Sequence, residues 1–128
     1  MPDVTNSPVI CPTLIIKNGK PWVAIGTPGG HTIGQTVPQM VLNMIEFDMN
    51  IQQAIAASRI SFIEPDRIVV EKGIAESTRD QLIKLGHNIQ VVKGLGNAHG
   101  LAIEYENGKP IRFTGGADPR GEGIAKGY

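Results

Sequence analysis

The sequence of 128 residues predicts an α+β fold, a largely antiparallel sheet with helices packed on it. Three observations carry this expectation. Strand-like and helix-like runs come in groups and do not alternate as repeated βα units. Asn-Gly pairs, Asn18-Gly19 and Asn107-Gly108, each join two strand-like runs. Hydrophobic residues make up 41% of the chain beside 16 Gly and 9 Pro, which suits one turn-rich globular domain over residues 1–128.

Taken in order, Thr13–Lys17 and Lys20–Gly26 form the first hairpin. A type I′ turn needs positive φ at both central positions, which Asn-Gly supplies. Pro21 has no N–H and belongs at the strand's start. The Thr27-Pro28-Gly29-Gly30 turn follows. A helix is expected from near Thr32 or Gln35 to Phe47, with Ile33, Val37, Met40, Val41, Met44 and Ile45 on one stripe. Pro38 fits best in a first turn, which places the regular start near residue 37. A second helix runs from Asn50, its N-cap, to Ser58, with Ile51, Ala54 and Ile55 inward. After the Glu64-Pro65-Asp66 turn, Ile68–Glu71 reads as a strand. Ser77–Leu85 reads as a helix with Leu82, Ile83 and Leu85 inward and Gly86 as its stop. Asn88–Val92 alternates as a strand. Ala98–Tyr105 pairs with Pro110–Thr114 as the last hairpin. The tail from Gly115 to Gly123 is too glycine-rich to predict a regular element.

Twelve Lys+Arg balance twelve Asp+Glu, so a strongly electrostatic nucleic-acid binder is excluded. Aromatics at 5% leave few stacking platforms for single strands. A lone cysteine, Cys11, excludes an internal disulfide framework and reads as a small buried apolar group. No apolar run approaches the roughly 18 residues that span a bilayer, and Met1–Ser7 is not a signal peptide. The compartment stays open.

Few features carry chemistry singly. Gly29-Gly30 can hold an oxyanion or a phosphate on backbone N–H groups, or can simply make a tight turn. It is neither a Walker loop nor a dinucleotide fingerprint. His31, His87 and His99 match no metal spacing, and no metal or other cofactor is expected. His31 adjoins the glycine turn and can reach a ligand there. Glu104 and Glu106 read as a solvated hairpin face. Asp118-Pro119-Arg120 sets opposite charges close together in a turn, fit either to fix the tail or to bind substrate.

The order of the motifs is more specific. Cys11-Pro12-Thr13-Leu14-Ile15-Ile16-Lys17-Asn18-Gly19-Lys20-Pro21 resembles the S-P-T-ϕ-V-ϕ-K-D-G-K-P hairpin of gamma-glutamyltransferases. Gly26-Thr27-Pro28-Gly29-Gly30 resembles their G-[ST]-P-G-G signature. Gln39–Asn43 with Phe47–Ile55 resembles Q-V-L-L-N…F-G-M-D-x-Q-E-A-I, and Ala57-Ser58-Arg59-Ile60 resembles A-P-R-F. Gly115–Gly123 with Gly127-Tyr128 resembles G-A-A-D-P-R-R-x-G-A-A-x-G-Y. Together the five blocks cover nearly all of Cys11–Tyr128.

That resemblance implies part of an αββα sandwich of the N-terminal nucleophile hydrolase type. It implies a precursor that cuts itself, exposing a threonine whose own α-amino group is its base. The threonine takes a γ-glutamyl group from a glutathione-type amide and passes it to water or to an amino-acid or peptide acceptor. It further implies that the backbone N–H groups of Gly29 and Gly30 form the oxyanion hole. The nucleophile belongs to a Thr-rich segment upstream of the hairpin, and only ten residues precede Cys11. The chain is therefore expected to be the C-terminal part of the small catalytic chain and inactive in isolation. Its expected partners are the upstream part and large chain of the same precursor, with self-association or hetero-oligomer formation through an open sheet edge. Where many members carry a Ser-Ser pair for the substrate's α-carboxylate, this chain has Pro8 and Val9. Ser7, one residue away, and His31 are the candidate substrate contacts. Two other readings are a non-catalytic scaffold of the same fold and an anion-binding module.

Overall fold

The computed structural model describes residues 11–127. Among these residues are two sheets and three α-helices. Strands β1 (Thr13–Lys17), β2 (Lys20–Gly26), β6 (His99–Glu106) and β7 (Lys109–Ala117) form an antiparallel sheet in the order β1-β2-β6-β7. Strands β3 (Ile60–Ile63), β4 (Arg67–Glu71) and β5 (Asn88–Val92) form a smaller one. In it β3 and β4 are antiparallel, whereas β4 and β5 are parallel and joined through helix α3 (Glu76–Lys84). One βαβ crossover thus sits within a mainly antiparallel fold. Both Asn-Gly hairpins take positive φ at both central positions, as a type I′ turn requires.

Helices α1 (Ile33–Glu46) and α2 (Ile51–Ala56) cover one face of the larger sheet. Val23 and Ile25 from β2 meet Ile33, Val37, Met40 and Met44 from α1 and Ile51, Ala54 and Ile55 from α2. The stripe expected on α1 is corrected at one end: Ile45 is 52% exposed, and Thr36 is buried instead. Thr36 is tolerated there because its hydroxyl donates to the Thr32 carbonyl one turn back. Pro38 does not delay the helix, which is regular from Ile33. Pro38 and Gly34 are both exposed, so the hydrogen bond that Pro38 cannot donate to the Gly34 carbonyl is lost on the exposed side of the helix.

Asn50 caps α2 as expected, in a full capping box with Gln53. The helix stops at Ala56, short of Ser58, because guanidinium groups take its last carbonyls. Arg59 and Arg120 both donate to the Ile55 carbonyl, and Arg120 donates to that of Ala57.

The glycine-rich tail is also corrected, since Gly115-Gly116-Ala117 completes β7. Gly116 pairs with Gly100 across the sheet. A Cβ at Gly100 would lie 2.9 Å from the Ile51 Cδ1, and one at Gly116 would lie 2.9 Å from the Ile55 Cδ1. The two glycines form a floor on which α2 lies close to the sheet.

Strand β3 has no clear alternation and was not expected from the pattern. Two glutamines of α1 hold it. The Gln35 side-chain amide exchanges two hydrogen bonds with the Phe62 backbone, and that of Gln39 does the same with Ile60. Four residues of helix rise about 6 Å, close to two residues of strand, so the spacings match. Gln52 closes the β7 edge at Ala117 in the same way. The inward face expected for α3 is absent: Ile83 and Leu85 are exposed, Leu82 is half-buried, and the helix packs on β5. Cys11 is likewise exposed, not buried.

Candidate functional site

The Thr27–Gly30 turn leaves the end of β2 and enters a short 3-10 turn (Gly30–Thr32) that leads into α1. Gly29 has φ +145° and Gly30 φ +59°, conformations that residues with a Cβ rarely adopt. A Cβ on Gly29 would also lie 2.6 Å from the Thr32 Oγ1. The sequence requires glycine here for two independent reasons.

Side chains on both flanks hold the turn. Thr27 is buried; its Oγ1 accepts from the Asn97 N–H at 2.9 Å and donates to the Pro28 carbonyl at 2.9 Å. Thr32 donates to the Gly29 carbonyl from its Oγ1 at 2.9 Å and from its backbone N–H at 3.2 Å.

Behind the turn lies a buried cluster with two positive and two negative charges. Asp118 accepts from Arg59 Nη2 at 2.9 Å, from Arg120 Nη1 at 2.9 Å, and from the N–H groups of Ala98 and Arg120. Glu71 accepts from the Arg59 and Leu95 N–H groups and from Nε and Nη2 of Arg120. Arg59 also donates to the Leu95 carbonyl. These bonds fix residues 95–98, whose Asn97 N–H reaches Thr27. Burial alone would raise the Glu71 carboxyl, but hydrogen bonds from Arg120, Arg59 and Leu95 hold it below its ordinary value. Burial likewise opposes ionisation of Asp118, and the Ala98 and Arg120 hydrogen bonds overcome it. Hydrogen bonds from Arg120 to Glu71 raise its own affinity for the proton. Burial lowers that of Arg59, partly offset by Asp118.

Of the two roles open to Asp118-Pro119-Arg120, the ion pairs support fixing the tail. Sequence reasoning missed Arg59, Glu71 and Asn97 as neighbours of the turn. The available signal was a charged residue closing an apolar run, as Glu71 does after Ile68-Val69-Val70.

His31 is exposed and lines a cleft of about 410 Å³ with Gln35, Phe62, Ile63 and Glu64. It adjoins the glycine turn in sequence and opens onto the β3 edge. Ser7, Pro8 and Val9 lie outside the described residues. Glu104 is exposed and pairs with Arg112 at 3.4 Å, on a solvated hairpin face. Among the described residues, no group of three or more His, Cys, Asp or Glu side chains is placed to hold a metal.

The fold as a whole superposes on solved structures. A Helicobacter pylori gamma-glutamyltranspeptidase structure superposes with a TM-score of 0.81 at 32% identity, over 88% of this chain and 61% of that one. A cephalosporin acylase from Bacillus halodurans superposes with a TM-score of 0.80 at 28% identity, over 91% of this chain and 22% of that one. The class is therefore an α+β fold of the N-terminal nucleophile hydrolase type.

Within that class, the gamma-glutamyltranspeptidase family model matches residues 6–128, and the chain belongs to that family. The glutathione hydrolase proenzyme of Escherichia coli (strain K12) is 33% identical over 119 residues, 91% of this chain. That of Bacillus subtilis (strain 168) is 32% identical over 117 residues, also 91% of this chain. The chain spans about one fifth of the length of these curated relatives, 20% and 19%.

Proposed function

We propose that this chain supplies the oxyanion-hole portion of an enzyme that transfers γ-glutamyl groups from glutathione-type amides to water or to an amino-acid or peptide acceptor. The observation that carries the proposal is the Gly29-Gly30 turn, held by Thr27 and Thr32 at the head of α1. Backbone donors fixed before reaction cost no reorganisation when an amide carbonyl becomes an oxyanion. A threonine nucleophile from elsewhere in the complete protein attacks the γ-carbonyl carbon, with its α-amino group accepting the hydroxyl proton. The tetrahedral oxyanion rests on the Gly29 and Gly30 N–H groups. Collapse expels the amine, which takes the proton, and leaves a γ-glutamyl ester. Water or an acceptor amine then attacks that ester and regenerates the threonine.

The partner expected for this chain is the rest of its precursor. The face of the larger sheet opposite α1 and α2 carries exposed Leu14, Leu101 and Phe113. A contiguous apolar face of this kind suits a second sheet, as in an αββα sandwich. His31, and Ser7 from the segment before β1, are the proposed substrate contacts.

The test is release of p-nitroaniline from γ-glutamyl-p-nitroanilide. The complete protein containing this chain is expected to release it, and the purified chain alone is not. No release by the complete protein overturns the reading. Release by the pure chain overturns the placement of the nucleophile elsewhere.

A further inference from the structure

The hydroxyls of Thr27 and Thr32 do something that a tight turn alone does not require. In a trans peptide, the C=O and the following N–H point in opposite directions within one plane. Fixing a carbonyl therefore aims the next residue's N–H. The Pro28 carbonyl shares its peptide plane with the Gly29 N–H, and Thr27 Oγ1 holds that carbonyl. The Gly29 carbonyl shares its plane with the Gly30 N–H, and Thr32 holds it with both its hydroxyl and its N–H.

We infer that Thr27 and Thr32 are positioning residues, each orienting one of the two glycine amides from behind. The catalytic part of this inference rests on the proposed oxyanion role of Gly29 and Gly30; the geometric part does not.

Thr27 carries the stronger case. Its side chain is buried, so the hydroxyl must find partners within the fold. A hydroxyl that accepts from the Asn97 N–H retains its own proton to donate, and the Pro28 carbonyl receives it. The direction of donation is thus set by residues 95–98, which the buried ion cluster fixes. Gly96 has no side chain there, and a Cβ on it would lie 2.5 Å from the Thr27 Oγ1. The loop therefore sits against the hydroxyl with no space to spare. Valine at position 27 keeps the shape and loses both hydrogen bonds. Serine keeps both. The Thr32 hydroxyl is backed by its own N–H, so its loss removes one of two restraints on the Gly29 carbonyl.

The test has a geometric arm on the isotope-labelled complete protein. Residual dipolar couplings report the directions of the Gly29 and Gly30 N–H bonds. Thr27→Val is expected to change the Gly29 coupling, with couplings in β2 and α1 retained, and Thr27→Ser to restore it. Thr32→Val is expected to change the Gly30 coupling by a smaller amount. It tests the same principle at a less buried position if Thr27→Val fails to fold. Unchanged glycine couplings in folded Thr27→Val, or in Thr32→Val where Thr27→Val does not fold, overturn the inference.

The second arm is kinetic, on the complete protein. Thr27→Val is expected to lower kcat about 10- to 100-fold with KM within about threefold, because a misaimed donor forfeits part of what its removal costs. Thr27→Ser is expected to stay within about threefold of the parent kcat, by the same reasoning. A fall in kcat that serine does not rescue overturns the catalytic part. If the parent protein lacks γ-glutamyl activity, the functional reading fails, and the couplings still decide the geometric one.

Discussion

Asp118→Asn is the most demanding test of how this fold is held. The side chain of Asp118 is fully buried and that of Arg59 is 1% exposed. The four charges behind the glycine turn sum to zero, so the substitution leaves one cation without its counter-charge, out of reach of water. It also creates a donor conflict. Oδ2 faces Arg59 Nη2 and the Ala98 N–H, whereas Oδ1 faces Nη1 and the N–H of Arg120. Either orientation of an asparagine amide therefore sets its NH₂ against two donors. Breaking a buried pair from one side costs about 3–5 kcal/mol, because the surviving charge stays buried. Set against a domain stability of about 5–15 kcal/mol, that is a large share. It corresponds to a fall in Tm on the order of 10–20 °C for a chain of this size. The assay is urea unfolding followed by fluorescence of Trp22, the single tryptophan. Glu104→Gln is the control. Its pair with Arg112 is more than half exposed on both sides, and its loss is expected to cost less than about 0.5 kcal/mol. A loss below about 1 kcal/mol for Asp118→Asn would show that Arg59 does not depend on Asp118 for its counter-charge.

The same cluster predicts the response to acid. Glu71 and Asp118 titrate below their ordinary values in the fold, so the stability they contribute is present above the unfolded carboxyl range near pH 4 and is lost as pH falls through the folded values. Urea midpoints measured from about pH 6 to pH 2 are expected to drop below about pH 4, less steeply in Asp118→Asn; equal slopes would contradict this. Gln39→Leu removes two hydrogen bonds from the outer edge of β3 and is expected to cost about 1–3 kcal/mol and to promote self-association, read by urea unfolding and light scattering. A monodisperse Gln39→Leu chain of parental stability would show that β3 does not need its glutamine clamp.

Local chemistry made much of this fold legible. The Asn-Gly turns, the Asn50 cap and the stripe from Ile33 to Met44 each depend on neighbours within one or two turns of chain. The misreadings involve partners far away in sequence. Nothing near Gly115–Ala117 reveals that α2 needs a glycine floor, nor does anything near Ile60 reveal two glutamines a helix away. The local cost of Pro38 points to a first turn, while its exposure on the helix surface is what admits it further along. At the site, the turn itself was legible from Gly29 and Gly30. The Arg59–Asp118 pair joins residues 59 positions apart, and Glu71 and Asn97 come to the turn only through β4 and the loop before β6.

The proposed oxyanion hole consists of two backbone N–H groups, so the most direct measurement changes only them. Incorporating glycolate at position 29 or 30 replaces that N–H with an ester oxygen and leaves every side chain in place. In the complete protein, either replacement is expected to lower kcat for γ-glutamyl-p-nitroanilide by about 10²–10³-fold with the fold retained. A folded ester variant with kcat within about threefold of the parent at both positions would contradict the account.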